Sequence, residues 1–200
     1  MDNEEKNSQK PNMKMVILSV VVTTLVASSL TYVRRSLAEP SVPNGVPVEK
    51  RDQYIEAKKH MDAGRKSIRK HKLEEAVKSF KKAIKVYPRM KEAYISIGDI
   101  YQVYKDYEKA LQEYSRVLKV DDKYASAYFR RGHSYMGLRK WNKAIGEFST
   151  AIKFKPNFME AYDGRSQAYR YRGDKENRNI DFELSIDDYE KARQLEKSNK

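Results

Sequence analysis

The sequence predicts an all-α protein: a solenoid of repeated helical hairpins, preceded by one apolar segment able to span a membrane as a helix. Three observations carry this prediction. Glycine recurs 34 residues apart at Gly64, Gly98 and Gly132. Alanine recurs at the same spacing at Ala76, Ala110 and Ala144, each followed four residues later by an aromatic, Phe80, Tyr114 and Phe148. Near the N-terminus, Met15 to Val33 (MVILSVVVTTLVASSLTYV) is an uncharged run bounded by Lys14 and Arg34-Arg35.

Residues 1–14 form a short polar tail whose composition is that of a disordered segment. Residues 15–33 would be about 28 Å long as a helix, close to the hydrocarbon thickness of a bilayer. The expectation is therefore a single-pass transmembrane helix. Its orientation stays open, because Lys6, Lys10 and Lys14 precede it while Arg34 and Arg35 follow it. A signal peptide cut near Ala38 is the competing reading, since Ser36-Leu37-Ala38 offers small residues where a peptidase inspects them. The domain would then be exported. The length of the run and the two intervening arginines favour the anchor. Residues 34–47 include the proline-rich EPSVPNGVP, which cannot continue a helix and reads as a linker.

The folded domain is expected over residues 48–197. It aligns as four segments, 57–90, 91–124, 125–158 and 159–197, when laid beneath each other from Ala57, Lys91, Ala125 and Met159. Position 8 is then Gly64, Gly98, Gly132 and Ser166; position 20 is Ala76, Ala110, Ala144 and, after a gap, Ser185. Position 24 is Phe80, Tyr114, Phe148 and Tyr189, and position 27 is Ala83, Val117, Ala151 and Ala192. Glycine inside a helix costs about 1 kcal/mol relative to alanine. Small residues at positions 8 and 20 let two antiparallel helices approach closely, aromatics fill the space between pairs, and Pro88 and Pro156 end the second helix.

These spacings resemble the tetratricopeptide repeat, a 34-residue helix-turn-helix unit, with three regular copies and a divergent C-terminal fourth. Some positions depart from that pattern. Position 7, usually leucine, is Ala63, Ile97, Arg131 and Arg165, and the two arginines imply a looser, partly exposed edge. His60 stands at position 4 where the other copies have Tyr94, Tyr128 and Tyr162. The fourth copy keeps Gly173-Asp174 at its turn and then inserts residues 175–181 (KENRNID), before Phe182 restores the register of Leu73, Tyr107 and Trp141. Such an insert predicts a loop at one edge of the stack.

Little catalytic chemistry is available. The chain has no cysteine, which removes thiolate catalysis, disulfides and thiolate metal sites. His60, His71 and His133 lack carboxylates at ligand spacing and read as structural or surface residues. No phosphate-binding glycine loop or nucleophile elbow is present, and Arg172-Gly173-Asp174 reads as the ordinary turn of the repeat. No enzyme activity and no cofactor are expected. Of the fifteen tyrosines, eight (Tyr94, Tyr101, Tyr114, Tyr128, Tyr135, Tyr162, Tyr169 and Tyr189) fall at positions assigned to core packing.

Two surfaces remain. By the resemblance, the first helix of each pair lines a concave groove. That assigns to it Lys58, Met61, Arg65, Ser96, Asp99, Phe129, Arg130, His133, Asp163, Gln167 and Arg170. The mixture of charges and apolar groups suits a protein or peptide partner. Some family members clamp a C-terminal carboxylate, but of the matching positions Met61, Arg65, Ser96, Ser126 and Arg130 only Arg130 agrees. The second surface is a basic face of Lys78, Lys81, Lys82 and Lys85, in a chain of net charge +13. The expected function is a non-catalytic scaffold recruiting partners to its groove at a membrane. The alternative is anionic-lipid or nucleic-acid binding through the basic face, with nucleic acid the less favoured ligand.

Overall fold

The computed structural model describes residues 42, 43 and 46–198. The expected tail, the run 15–33 and the cleavage site considered near Ala38 lie outside the described residues, as does most of the linker. Among the described residues no helix is long and apolar enough to cross a membrane. Residues Val48–Lys200 form one compact unit.

After a single 3-10 turn at Val48–Lys50, this unit is built of α1 (Arg51–Arg69), α2 (Leu73–Val86), α3 (Lys91–Val103), α4 (Tyr107–Val120), α5 (Ala125–Gly137), α6 (Trp141–Phe154), α7 (Met159–Glu176) and α8 (Asn179–Ser198). Each helix packs on the next, and α5 also touches α7. First helices of adjacent hairpins thus share a face. There is no strand among the described residues.

The local reasons are visible in each second helix. Ala76, Phe80 and Ala83 in α2, Ala110, Tyr114 and Val117 in α4, and Ala144, Phe148 and Ala151 in α6 fall at helical spacing, and all are fully buried. Glu74 and Glu75 lie in the first turn of α2 and Lys85 in its last, matching the helix dipole. Asp106 caps α4 by accepting a hydrogen bond from the Lys109 amide at 3.2 Å. The recurrent glycines do what their period predicts. A Cβ at Gly98 would lie 2.5 Å from the Tyr114 ring, and one at Gly132 2.6 Å from the Phe148 ring. Phe148 is held from its other side by Gly164 of the next hairpin, whose added Cβ would lie 2.8 Å away.

The first three hairpin turns share one geometry. His71, Lys105 and Arg139 adopt left-handed backbone, with φ of 59, 58 and 55°. The following amides of Lys72, Asp106 and Lys140 reach back to the carbonyls of Ser67, Tyr101 and Tyr135, each at 2.9 Å, which closes the helix end.

The fourth hairpin departs from the sequence expectation. Only Asn177 and Arg178 of residues 175–181 lie outside the helices, so no long loop forms, and Gly173-Asp174 is not a turn. The helix α7 runs through both glycine and aspartate to Glu176, and the left-handed residue is Asn177, with φ 53°. Arg178 then repeats the closing bond by donating its amide to the Gly173 carbonyl at 3.1 Å. Seven extra residues are close to two helical turns. Dividing them between α7 and α8 lengthens both helices and leaves their buried faces aligned, so no long loop is needed. Asn177 suits the turn because asparagine tolerates left-handed backbone better than most residues.

Position 7 is also corrected. Arg131 and Arg165 do not loosen the edge. Arg131 donates to both carboxylate oxygens of Glu147, at 2.9 and 2.6 Å, and Arg165 to both of Asp188, at 2.7 and 2.7 Å. Each also reaches a serine of the preceding hairpin, Ser115 at 3.2 Å and Ser149 at 2.9 Å. A third clamp closes the last hairpin, where Arg172 grips the fully buried Asp181 at 2.7 and 2.6 Å and reaches Asn142 of α6 at 2.6 Å.

Candidate protein-binding groove

The face shared by α1, α3, α5 and α7 carries most of the residues assigned to the groove. Arg65, Asp163 and Arg170 are exposed, while Lys58, Ser96, Asp99, Phe129, Arg130, His133 and Gln167 are half-buried. Met61 is corrected. It is only 3% exposed and sits in the core cluster with Ala57, Phe80 and Ile97, because its side of α1 faces the neighbouring helices.

Arg130 and Asp99 come together. Arg130 Nη1 donates to Asp99 Oδ1 at 2.6 Å, and the Tyr114 hydroxyl donates to the same oxygen at 2.7 Å. Burial, and then the Asp99 charge, push the Tyr114 phenol well above its ordinary range, so it stays a proton donor here. Arg130 Nε is buried without a hydrogen-bond partner. Arg130 is therefore a tie between α3 and α5, with its Nη1 engaged by the Asp99 carboxylate. Beside it, Gln102 Nε2 donates to Ser134 Oγ at 2.9 Å and to the Arg130 carbonyl at 3.1 Å. The sequence reading missed Gln102 and Ser134, since nothing in the repeat pattern marks them.

His133 meets the Phe129 ring edge-on at 4.5 Å between centroids and the Phe148 ring at 5.3 Å. Burial pushes its imidazole below the ordinary histidine value; Asp163 opposes this and Arg130 reinforces it. On α7, Gln167 donates to Asp163 at 2.8 Å.

At the fourth hairpin the face deepens into a trough of 460 Å³. Phe129 and His133 of α5 form one wall, Met159, Glu160 and Asp163 of α7 the floor, and Tyr189, Ala192, Arg193 and Glu196 of α8 the other wall. The α8 residues are absent from the sequence-predicted groove. Tyr189 was expected in the core as the position-24 aromatic, yet it is 51% exposed. Its counterpart Phe148 is covered by the following hairpin, whereas no hairpin follows α8 among the described residues.

The basic face is a separate feature. Lys78, Lys81, Lys82 and Lys85 are all exposed along α2. Lys81 lies near enough to Glu113 to draw its carboxyl pKa down, as Arg116 does, although burial wins and raises it.

Known proteins agree with this geometry at the level of the fold. No curated protein matches the chain in sequence. Residues 105–138, from the turn before α4 to the end of α5, match the family model described as TPR repeat. The crystal structure of MamA superposes with a TM-score of 0.63 at 22% identity, over 72% of this chain and 80% of that one. The first TPR domain of human RPAP3 gives 0.57 at 22% identity, over 61% of this chain and 96% of that one. The first TPR of Spaghetti (RPAP3), bound to the HSP90 peptide SRMEEVD, gives 0.56 at 20% identity, over 58% of this chain and 93% of that one. Residues 105–138 thus match a tetratricopeptide repeat, and the chain shares its helical-hairpin fold with these structures.

Proposed function

We propose that this chain is a non-catalytic adaptor that binds a protein or peptide partner on the face of α1, α3, α5 and α7, held at a membrane by residues 15–33. The observation that carries the reading is the character of that face. It joins half-buried aromatic surface at Phe129 and His133 to exposed charges of both signs at Arg65, Asp163 and Arg170. A face of that kind offers an extended or helical peptide both apolar burial and orienting contacts. The peptide-bound neighbour, the first TPR of Spaghetti (RPAP3) with its HSP90 peptide, supports this reading. An acidic peptide like SRMEEVD is disfavoured here, because Asp99 sits on Arg130.

A crosslinking pull-down with the full chain tests the reading. Arg65→Glu with Arg170→Glu should abolish capture of partner proteins and leave the fold intact, since both side chains are exposed. Arg130 is left untouched because it ties two helices. Replacing Lys78, Lys81, Lys82 and Lys85 by glutamine should matter little. A partner kept by the arginine variant and lost by the lysine variant would shift the function to the basic face, and binding to anionic liposomes or nucleic acid would then fall steeply with salt. Retention of the full chain on membranes after a carbonate wash is expected from the anchor; a mature N-terminus at Glu39 would remove it.

A further inference from the structure

We infer that the trough at the fourth hairpin is a receptor for a cationic side chain, an arginine or lysine of the peptide bound in the groove. This rests on the groove reading above and adds the chemistry of one subsite. The trough volume of 460 Å³ is ample for one or two side chains. Its apolar surface comes from both walls and the floor, through Phe129, Tyr189 and Met159.

The sign of its charge is the unusual feature. In a chain of net charge +13, the described lining of the trough brings the carboxylates of Glu160 and Asp163 together on α7, with Arg193 as its one arginine or lysine. His133 adds no charge, because burial favours its neutral form. Among the described residues no basic group lies within ion-pairing distance of Glu160 or Asp163. The Arg193 guanidinium instead lies over the Tyr189 ring, 5.9 Å from its centroid. Asp163 is oriented by the Gln167 hydrogen bond. Arg170, further along α7, is not part of the lining.

An arginine or lysine satisfies all parts of this arrangement together. Its aliphatic stem packs on Phe129 and Met159 while its head group meets the two carboxylates in charge-assisted hydrogen bonds. An acidic side chain would be repelled, and a purely apolar one would strip water from Glu160 and Asp163 with nothing in return. The trough is open because no hairpin follows α8 among the described residues. An aromatic buried in every earlier hairpin is here left free to form a wall.

The test uses isotope-labelled full-length protein titrated with the capped tripeptide acetyl-Leu-Arg-Leu-amide and its citrulline and glutamate analogues. The arginine peptide should shift the amide resonances of His133, Asp163 and Ala192. Citrulline, equal in shape but uncharged, should bind about tenfold or more weakly, and glutamate should not bind. Glu160→Gln with Asp163→Asn, checked for native helicity, should erase the preference for arginine over citrulline. Three results would each overturn the inference: no shifts with the arginine peptide, equal binding of arginine and citrulline, or a preference that survives in the double variant. If that occurs while Arg65→Glu with Arg170→Glu still abolishes partner capture, the subsite fails and the groove reading stands.

Discussion

Arg131 binds Glu147 in a two-pronged ion pair, at 2.9 and 2.6 Å, and with its remaining nitrogen reaches Ser115 of the preceding hairpin at 3.2 Å. One guanidinium thereby fastens the two helices of its own hairpin and the hairpin before. Arg165, Asp188 and Ser149 repeat the arrangement one unit later. The planar fork of arginine allows this; a lysine ammonium is a point charge that cannot grip a carboxylate bidentately and reach a third residue in this geometry.

Removing one partner should therefore cost more than removing both. Arg131→Ala leaves a largely buried Glu147 carboxylate unpaired and is expected to destabilise the domain by about 3 kcal/mol. Arg131→Met with Glu147→Leu should recover most of that loss. Urea denaturation of the single and double variants checks the sign. A double variant as unstable as the single one would refute the clamp.

Overpacking at the close-approach sites is the next expectation. Gly132→Leu or Ala144→Leu should cost roughly 1 to 3 kcal/mol, since the Phe148 ring fills the space beside Gly132 and shares one buried cluster with Ala144. Within the insert the outcome should vary by residue. Lys175→Ala is expected to be nearly silent, whereas Asp181→Asn removes a buried partner of Arg172 and should cost about 3 kcal/mol. Calorimetric midpoints distinguish the two.

The turns store strain that glycine can relieve. Lys105→Gly and Arg139→Gly should each raise stability by about 0.5 to 1 kcal/mol, because both residues hold left-handed backbone that penalises a Cβ. The same change at Gln102, which is helical and bonded to Ser134, should lower it. Thermal melts of the three variants settle the comparison.

His133 makes stability depend on pH. Its folded-state pKa is lowered, mainly by burial, so the unfolded chain takes up the proton first as pH falls. Its contribution is fully present above the ordinary histidine value of about 6.5 and is lost as pH falls from there through the folded-state value. Asp163 opposes the shift and Arg130 adds to it. The drop in urea midpoint between about pH 7.5 and about pH 5.5 should shrink in His133→Gln. An unchanged drop would show that the imidazole is not held neutral.

The hairpin stack was legible in the sequence because it depends on short-range periodicity. A glycine at position 8 and an aromatic at position 24 imply close helix packing wherever they recur, and Gly98 against Tyr114 and Gly132 against Phe148 obey it. The exposed lysines of α2 were equally legible, as they follow from position on a helix face. Three things were decided only by tertiary structure. Arg131 and Arg165 could be recognised as clamps only once Glu147 and Asp188 stood opposite them on another helix. Most of the seven-residue insert became helix, with the turn at Asn177 and Arg178, because the added length can be shared across a hairpin without rotating its buried faces, a property of the pair rather than of either segment. Tyr189 left the core, and the trough formed, because burial of a position-24 aromatic is supplied by the next hairpin. Sequence determined what each helix offers to a neighbour; the fold determined which neighbours were there to take it.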